Sequence, residues 1–183
     1  MPFKVKRAKA PLNETGLYDY ALKALGRSMR TEAELRRLMR QRAEQGDSGE
    51  STVNTVIHRL KEHGYLDDKS YAETFTRLRQ ENEKLGSRTV RQKLAQKGVP
   101  APIANEAIEA RYAATDEEAL ARAHIERKRL KKPEDEKETA RILRRLIAAG
   151  FSTRVIYKIL RQWDVPEETL SALDTLEEEP PRE

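Results

Sequence analysis

Residues 63–79 read HGYLDDKSYAETFTRLR, and they join two stretches of chain built to one plan. Gly64 followed by Tyr65 ends an amphipathic run as a left-handed C-terminal cap does, with the next side chain expected to pack back on the helix. Asp67 or Asp68 then caps the following helix, which is expected to bury Tyr71, Ala72, Phe75 and Leu78 along one side.

Working outward, the same order of parts recurs. Before the join, Leu17, Ala21, Leu22 and Leu25 give a short helical stripe ending near Gly26. Thr31 with Glu34 forms a capping box for a helix expected to reach Glu44, with Leu35, Leu38 and Met39 inward. The turn formers of Gln45–Glu50 predict a loop, and Ser51–His63 a helix burying Val53, Val56, Ile57 and Leu60. After the join come helices over Lys69–Lys84 and Ser87–Lys97, the second with Val90 and Leu94 inward and Gly98 and Val99 at its end. A helix set up by Pro100 and Pro102 follows, with Ile103, Ala107 and Ile108 inward. The plan then repeats over Asp116–Leu130, Glu134–Ala149 and Ser152–Trp163. Val53, Ala104 and Val155 are spaced 51 residues apart, as are Ile57, Ile108 and Ile159.

The expected fold is all-α: three tandem three-helix repeats at 17–67, 68–114 and 115–163, between a basic flexible arm at 1–16 and a partly disordered acidic tail at 164–183. Repeats of this size have small cores and pack through their ends, which predicts an elongated curved array with extended surface for a partner.

Three ordered motifs carry a family resemblance. They are Thr31-Glu32-Ala33-Glu34-Leu35-Arg36-Arg37, then Gly64-Tyr65-Leu66-Asp67-Asp68 with Tyr71-Ala72, then Leu85-Gly86-Ser87 through Leu94 to Gly98-Val99. Together they resemble the RecX family of bacterial regulators of the RecA recombinase, over roughly Leu17 to Trp163, with Thr31 standing where the family more often has Ser. The resemblance implies the same three-module architecture. It also implies a protein that lies in the groove of the RecA filament on single-stranded DNA, blocks filament extension, and inhibits RecA's ATPase, strand-exchange and coprotease activities.

Composition agrees with a helical binding protein. Of 183 residues, 37% are charged and 5% aromatic, none is cysteine, and the net charge is +5. Lack of cysteine removes disulfides and thiolate chemistry and is compatible with the cytoplasm. Met1–Asn13 carries +4 and Asp164–Glu183 carries −7, leaving +8 on the body. A basic body favours a polyanionic or acidic partner. No apolar run is long enough for a membrane span.

No catalytic apparatus is visible, so the chain is read as a non-enzyme with no cofactor, no metal and no small-molecule substrate. His58 and His63 are about 140° apart on a helix and would not share a metal ion. Asp67 and Asp68 are helix caps before they are acid–base residues. Candidate contacts to the partner are Arg88, Arg91, Lys93 and Lys97 as one stripe, then Arg122, Arg127, Lys128, Arg129, Lys131 and Lys132. A third group is Arg141, Arg144, Arg145, Arg154, Lys158 and Arg161. Such groups contact phosphates or acidic protein surface, with weak direct DNA contact included, and the chain is taken to act as a monomer. Phe151 and Trp163 are expected in the core. A winged-helix DNA-binding regulator is the alternative and needs a β-hairpin after Leu66; a helical adaptor for another complex would keep the fold and change the partner.

Overall fold

Helix ends decide this architecture, because each helix must satisfy its last carbonyls before the chain can turn. In the computed structural model, which describes residues 10–170, those residues form nine complete α-helices and a helical turn at 167–170, with no strand. They are α1 Glu14–Leu25, α2 Glu32–Arg40, α3 Asp47–Glu62, α4 Asp68–Glu83, α5 Ser87–Gln96, α6 Ala101–Tyr112, α7 Glu117–Lys128, α8 Glu136–Ala148 and α9 Thr153–Gln162. Residues 1–9 of the expected 1–16 arm and 171–183 of the expected 164–183 tail lie outside the described residues; Glu14 already begins α1, and Val165 and Leu170 are buried. The chain divides into two compact units, Met1–Ala72 with Leu94–Ala104, and Glu73–Lys93 with Asn105–Glu183.

At Gly64 the backbone turns left-handed, φ +71. The Gly64 and Tyr65 N–H groups donate back to Lys61 O and Leu60 O, each at 2.9 Å, which closes a paired cap. Gly98 and Gly150 end α5 and α8 in the same way, with φ +77 and +95. Arg129 and Asp164 hold this position without glycine, at φ +52 and +54. Tyr65 does not pack back as expected: it is 57% exposed, and Leu66 is the buried residue. The Tyr65 ring instead stands edge-on to His63, and a phenol is cheaper to leave wetted than a leucine.

The N-terminal caps assign the two acids of the join. Asp67 Oδ1 accepts from Lys69 N–H at 2.8 Å and starts α4. Asp68 reaches across instead and accepts from Glu32 N–H at 2.8 Å, serving the first turn of α2. Thr31 and Glu34 make the expected capping box. The helix it opens stops at Arg40, short of Glu44. The expected Gln45–Glu50 loop is partly helical, since α3 begins at Asp47. Gly49 explains this, for it lies against the Glu44 backbone where a Cβ would collide. Asp47 and Glu50 also favour a helix start through the macrodipole.

In the first unit α1, α2 and α3 pack on one another around Leu17, Leu35, Met39, Val53, Val56, Ile57, Leu60 and Leu66. Each such side chain contributes about 1.5–3 kcal/mol on burial. In the second unit α9 packs on α7 and α8, closing over Leu146, Phe151, Ile156, Ile159 and Leu160. Ile57, Ile108 and Ile159 are all buried, as their spacing predicts. Trp163, expected in the core, is only half-buried, as is Val155. On α4 the buried face runs through Ala72, Thr76 and Gln80, and Leu78 is exposed. Burial of Gln80 is supported because it donates to Thr115 Oγ1 at 2.9 Å and accepts from Arg111, whereas the Thr76 hydroxyl is buried without a hydrogen-bond partner among the described residues. The residues after Leu66 are α4, so the β-hairpin of a winged helix is excluded.

A single type of joint links middle helices. In the first unit the Thr31 hydroxyl donates to Lys97 O at 2.6 Å, Lys97 Nζ pairs with Glu34 at 2.7 Å, and Gly98 lies against Ala33. In the second unit Gly86 N–H donates to Ala149 O and the Thr89 hydroxyl to Ala148 O, both at 2.8 Å. There Gly86 lies against Gly150.

Candidate functional site

The basic residues separate by what they touch. On α5, positions 88 and 91 lie about 60° apart, and 93 and 97 about 40° apart on the far side, so the expected single stripe is two pairs on opposite faces. Arg91 donates to Asn105 Oδ1 at 3.0 Å, and Lys97 is held in the joint with Glu34. Arg88 and Lys93 have no ion pair among the described residues.

Arg122 and Lys158, from α7 and α9, converge on Glu118 at 2.9 and 2.5 Å. Hydrogen bonds from both, Lys158 first, hold the Glu118 carboxyl down at about 2. A carboxyl depressed in the folded state lends stability above its unfolded value of 4.5, and that stability is lost as pH falls toward 2. Thermal melts between about pH 5 and pH 2 should therefore fall more steeply in wild type than in Glu118→Gln; parallel curves would refute the ion-pair assignment. Arg161 pairs with Glu167 through two bonds of 3.0 and 2.6 Å, and Arg141 with Glu138 at 3.4 Å. Arg154 and Arg144 are exposed, with no ion pair among the described residues.

The remaining candidates gather where α7 ends. Arg127, Lys128, Arg129, Lys131 and Lys132 are five cations in six residues, placed where the helix dipole favours positive charge. Lys128, Arg129, Lys131 and Lys132 line a cleft of about 280 Å³ with Arg141 and Arg145 of α8 and the acids Glu134 and Glu138. An adjoining cleft of about 430 Å³ has Leu85, Leu130, Ala148 and Ala149 as apolar lining and shares Lys128, Leu130 and Arg145 with the first. His124 lines this second cleft, buried against Phe151 with ring centroids 5.6 Å apart, and its Nδ1 meets Glu83 O at 3.1 Å. Burial first, then the charge of Lys128, holds its pKa below the ordinary histidine value, so the ring is neutral at pH 7. Lys132 pairs with Asp164 at 3.0 Å. Lys128, Arg129, Lys131 and Arg145 have no ion pair among the described residues.

Sequence reasoning found these cations but not their division into paired and unpaired sets. Glu34 meets Lys97, and Glu118 meets Lys158, from helices distant in sequence, which no local spacing announces; of these pairs only Arg122–Glu118 has the i,i+4 spacing of one helix. The residues of the family-like motifs are structural: Leu35, Leu94 and Ala72 are buried, and Glu34, Asp67, Asp68, Gly64 and Gly98 make caps and joints. Among the described residues no group of three or more His, Asp or Glu side chains is placed to hold a metal ion. No described helix is long and apolar enough to cross a membrane.

Among the described residues, helices in three-helix groups and a charged surface define an all-helical protein of the small-module kind. Residues 67–108 match the family described as RecX, second three-helix domain. A regulatory protein RecX of Leptothrix cholodnii is 33% identical over 151 residues, covering 82% of this chain and 91% of that protein. One of Thermus thermophilus is 33% identical over 150 residues, with 81% and 91% covered. The chain belongs to the RecX family of regulatory proteins. It spans about half the length of other relatives it matches, including 55% of the Oceanobacillus iheyensis protein at 27% identity. The crystal structure of RecX from Lactobacillus salivarius shares the fold at a TM-score of 0.62, with 24% identity and coverage of 82% of this chain and 96% of that one. A second RecX crystal structure does so at 0.66, with 21% identity and coverage of 81% and 73%.

Proposed function

We propose that this chain regulates RecA by lying in the groove of the RecA filament on single-stranded DNA and blocking filament extension. ATPase, strand-exchange and coprotease activities are thereby inhibited, through contacts and without bond chemistry of its own, in the cytoplasm and as a monomer. Three three-helix repeats at 17–67, 68–114 and 115–163 would each bring a few cations to neighbouring protomers, and many weak contacts on one chain add through effective concentration. Membership of the RecX family carries this reading. The unpaired cations Arg88, Lys128, Arg129, Lys131, Arg144, Arg145 and Arg154 support it as groups free to meet acidic surface.

The experiment is RecA's DNA-dependent ATPase rate as the protein is titrated in, beside binding to bare single- and double-stranded DNA. Inhibition at concentrations that leave bare DNA mostly free is the expected result. An unchanged ATPase rate at saturating protein would overturn the proposal.

A further inference from the structure

We infer that Glu177, Glu178 and Glu179 of this chain fold back on the basic cleft between α7 and α8, where they hold its cations until an anionic partner displaces them. The charge balance of the cleft is the first argument. Six cations line it: Lys128, Arg129, Lys131, Lys132, Arg141 and Arg145. Glu134 and Glu138 line it too, Glu138 pairing with Arg141 at 3.4 Å, and Asp164 reaches Lys132 from outside the lining at 3.0 Å. Three acids thus answer six cations. The surplus sits on exposed side chains in a concave site, where like charges reinforce one another's field and draw in negative charge.

Position in the chain chooses the acid. Asp164 and Thr169 line a larger cleft, of about 710 Å³, which shares Lys132 and Glu134 with the basic one. The described chain therefore ends, at the buried Leu170, beside the site. The nine residues from 171 to 179 reach up to about 30 Å when extended, against a helix width of about 10–12 Å, so the span is covered with chain to spare. Residues 171–183 carry five acids against Arg182, and three of those acids are consecutive. A segment tethered at this range acts at an effective concentration on the order of millimolar, which a free acidic surface has to match before it can take the cleft.

The contact needs no recombinase, so this inference can fail while the RecA reading stands, and the reverse. The chain has no cysteine, so Pro180→Cys offers a single site for a nitroxide beside the glutamates without altering their charge. In amide NMR spectra of the full isotope-labelled chain, the oxidised label should lower the signals of Lys128, Arg129, Lys131 and Lys132 several-fold relative to the reduced label, and equally on dilution. About 1 M salt, where the Debye length is about 3 Å, should restore most of the intensity, as should excess polyglutamate standing for the partner. Glu177→Gln, Glu178→Gln and Glu179→Gln together should restore it at low salt, and so should Lys131→Glu with Arg145→Glu. The triple variant replaces no described residue, so its outcome does not depend on how α7 and α8 tolerate substitution. Unchanged signals at the four cleft residues would overturn the inference. So would broadening that centres on Lys4, Lys6, Arg7 and Lys9, that fades on dilution because it comes from a second copy, or that survives polyglutamate or the triple variant.

Discussion

Gly86→Ala should destabilise the second unit by about 3 kcal/mol, a large effect for one added methyl. A Cβ on Gly86 would fall inside the Gly150 carbonyl, so backbone must move against backbone and no flexible side chain can yield. That movement also disturbs the Gly86 N–H bond to Ala149 O and the Thr89 bond to Ala148 O, each 2.8 Å long. Neither group would find water in place of its partner without opening the joint. Trp163, the single tryptophan, belongs to the second unit, so its fluorescence in a urea titration reports the relevant transition. A shift of that transition worth less than about 1 kcal/mol would mean the joint is loose enough to absorb a methyl group.

Phe151→Ala should cost about 3–5 kcal/mol, the range for a fully buried aromatic cut back to Cβ. Phe151 is 0% exposed and follows the cap at Gly150, so its backbone is fixed and cannot sink to fill the space. The change also strips His124 of its edge-on ring contact, leaving a buried imidazole beside a void. The Trp163 transition in urea should move to lower denaturant accordingly. Tyr65→Ala is the control, since a ring more than half exposed should change stability by well under 1 kcal/mol. Comparable losses at both positions would overturn the assignment of Phe151 as the anchor of its unit.

Helices were legible because their signals are local. Thr31 with Glu34, and Gly64 and Gly98 at two helix ends, need only their neighbours to act, and each sits in the structure as its spacing predicts. The inward residues of α3 were legible for the same reason, since period alone places Val53, Val56, Ile57 and Leu60 on one face. What escaped depends on distant chain. Gln80 is buried because Thr115 and Arg111 meet it, and nothing within α4 foretells either. Asp68 caps a helix 36 residues upstream rather than its own. The start of α3 was hidden by Gly49 and Ser48, turn formers in composition, although Gly49 is there for a close backbone approach. Among the cations, charge was visible and availability was not, because Lys97, Lys158 and Arg161 are engaged by acids that only the folded chain brings near.

The joint between middle helices has a consequence for how such a chain changes length. Helix α5 carries both halves of the fastening: the Gly86 amide and Thr89 hydroxyl at its leading end, and the Lys97 carbonyl at its trailing end. A stretch with a plug at one end and a socket at the other can be copied in tandem and still couple to what precedes and follows it. Duplication or deletion of such a segment would leave a matching donor end and acceptor end at the new junction, so a change in the number of segments would call for no new kind of interface.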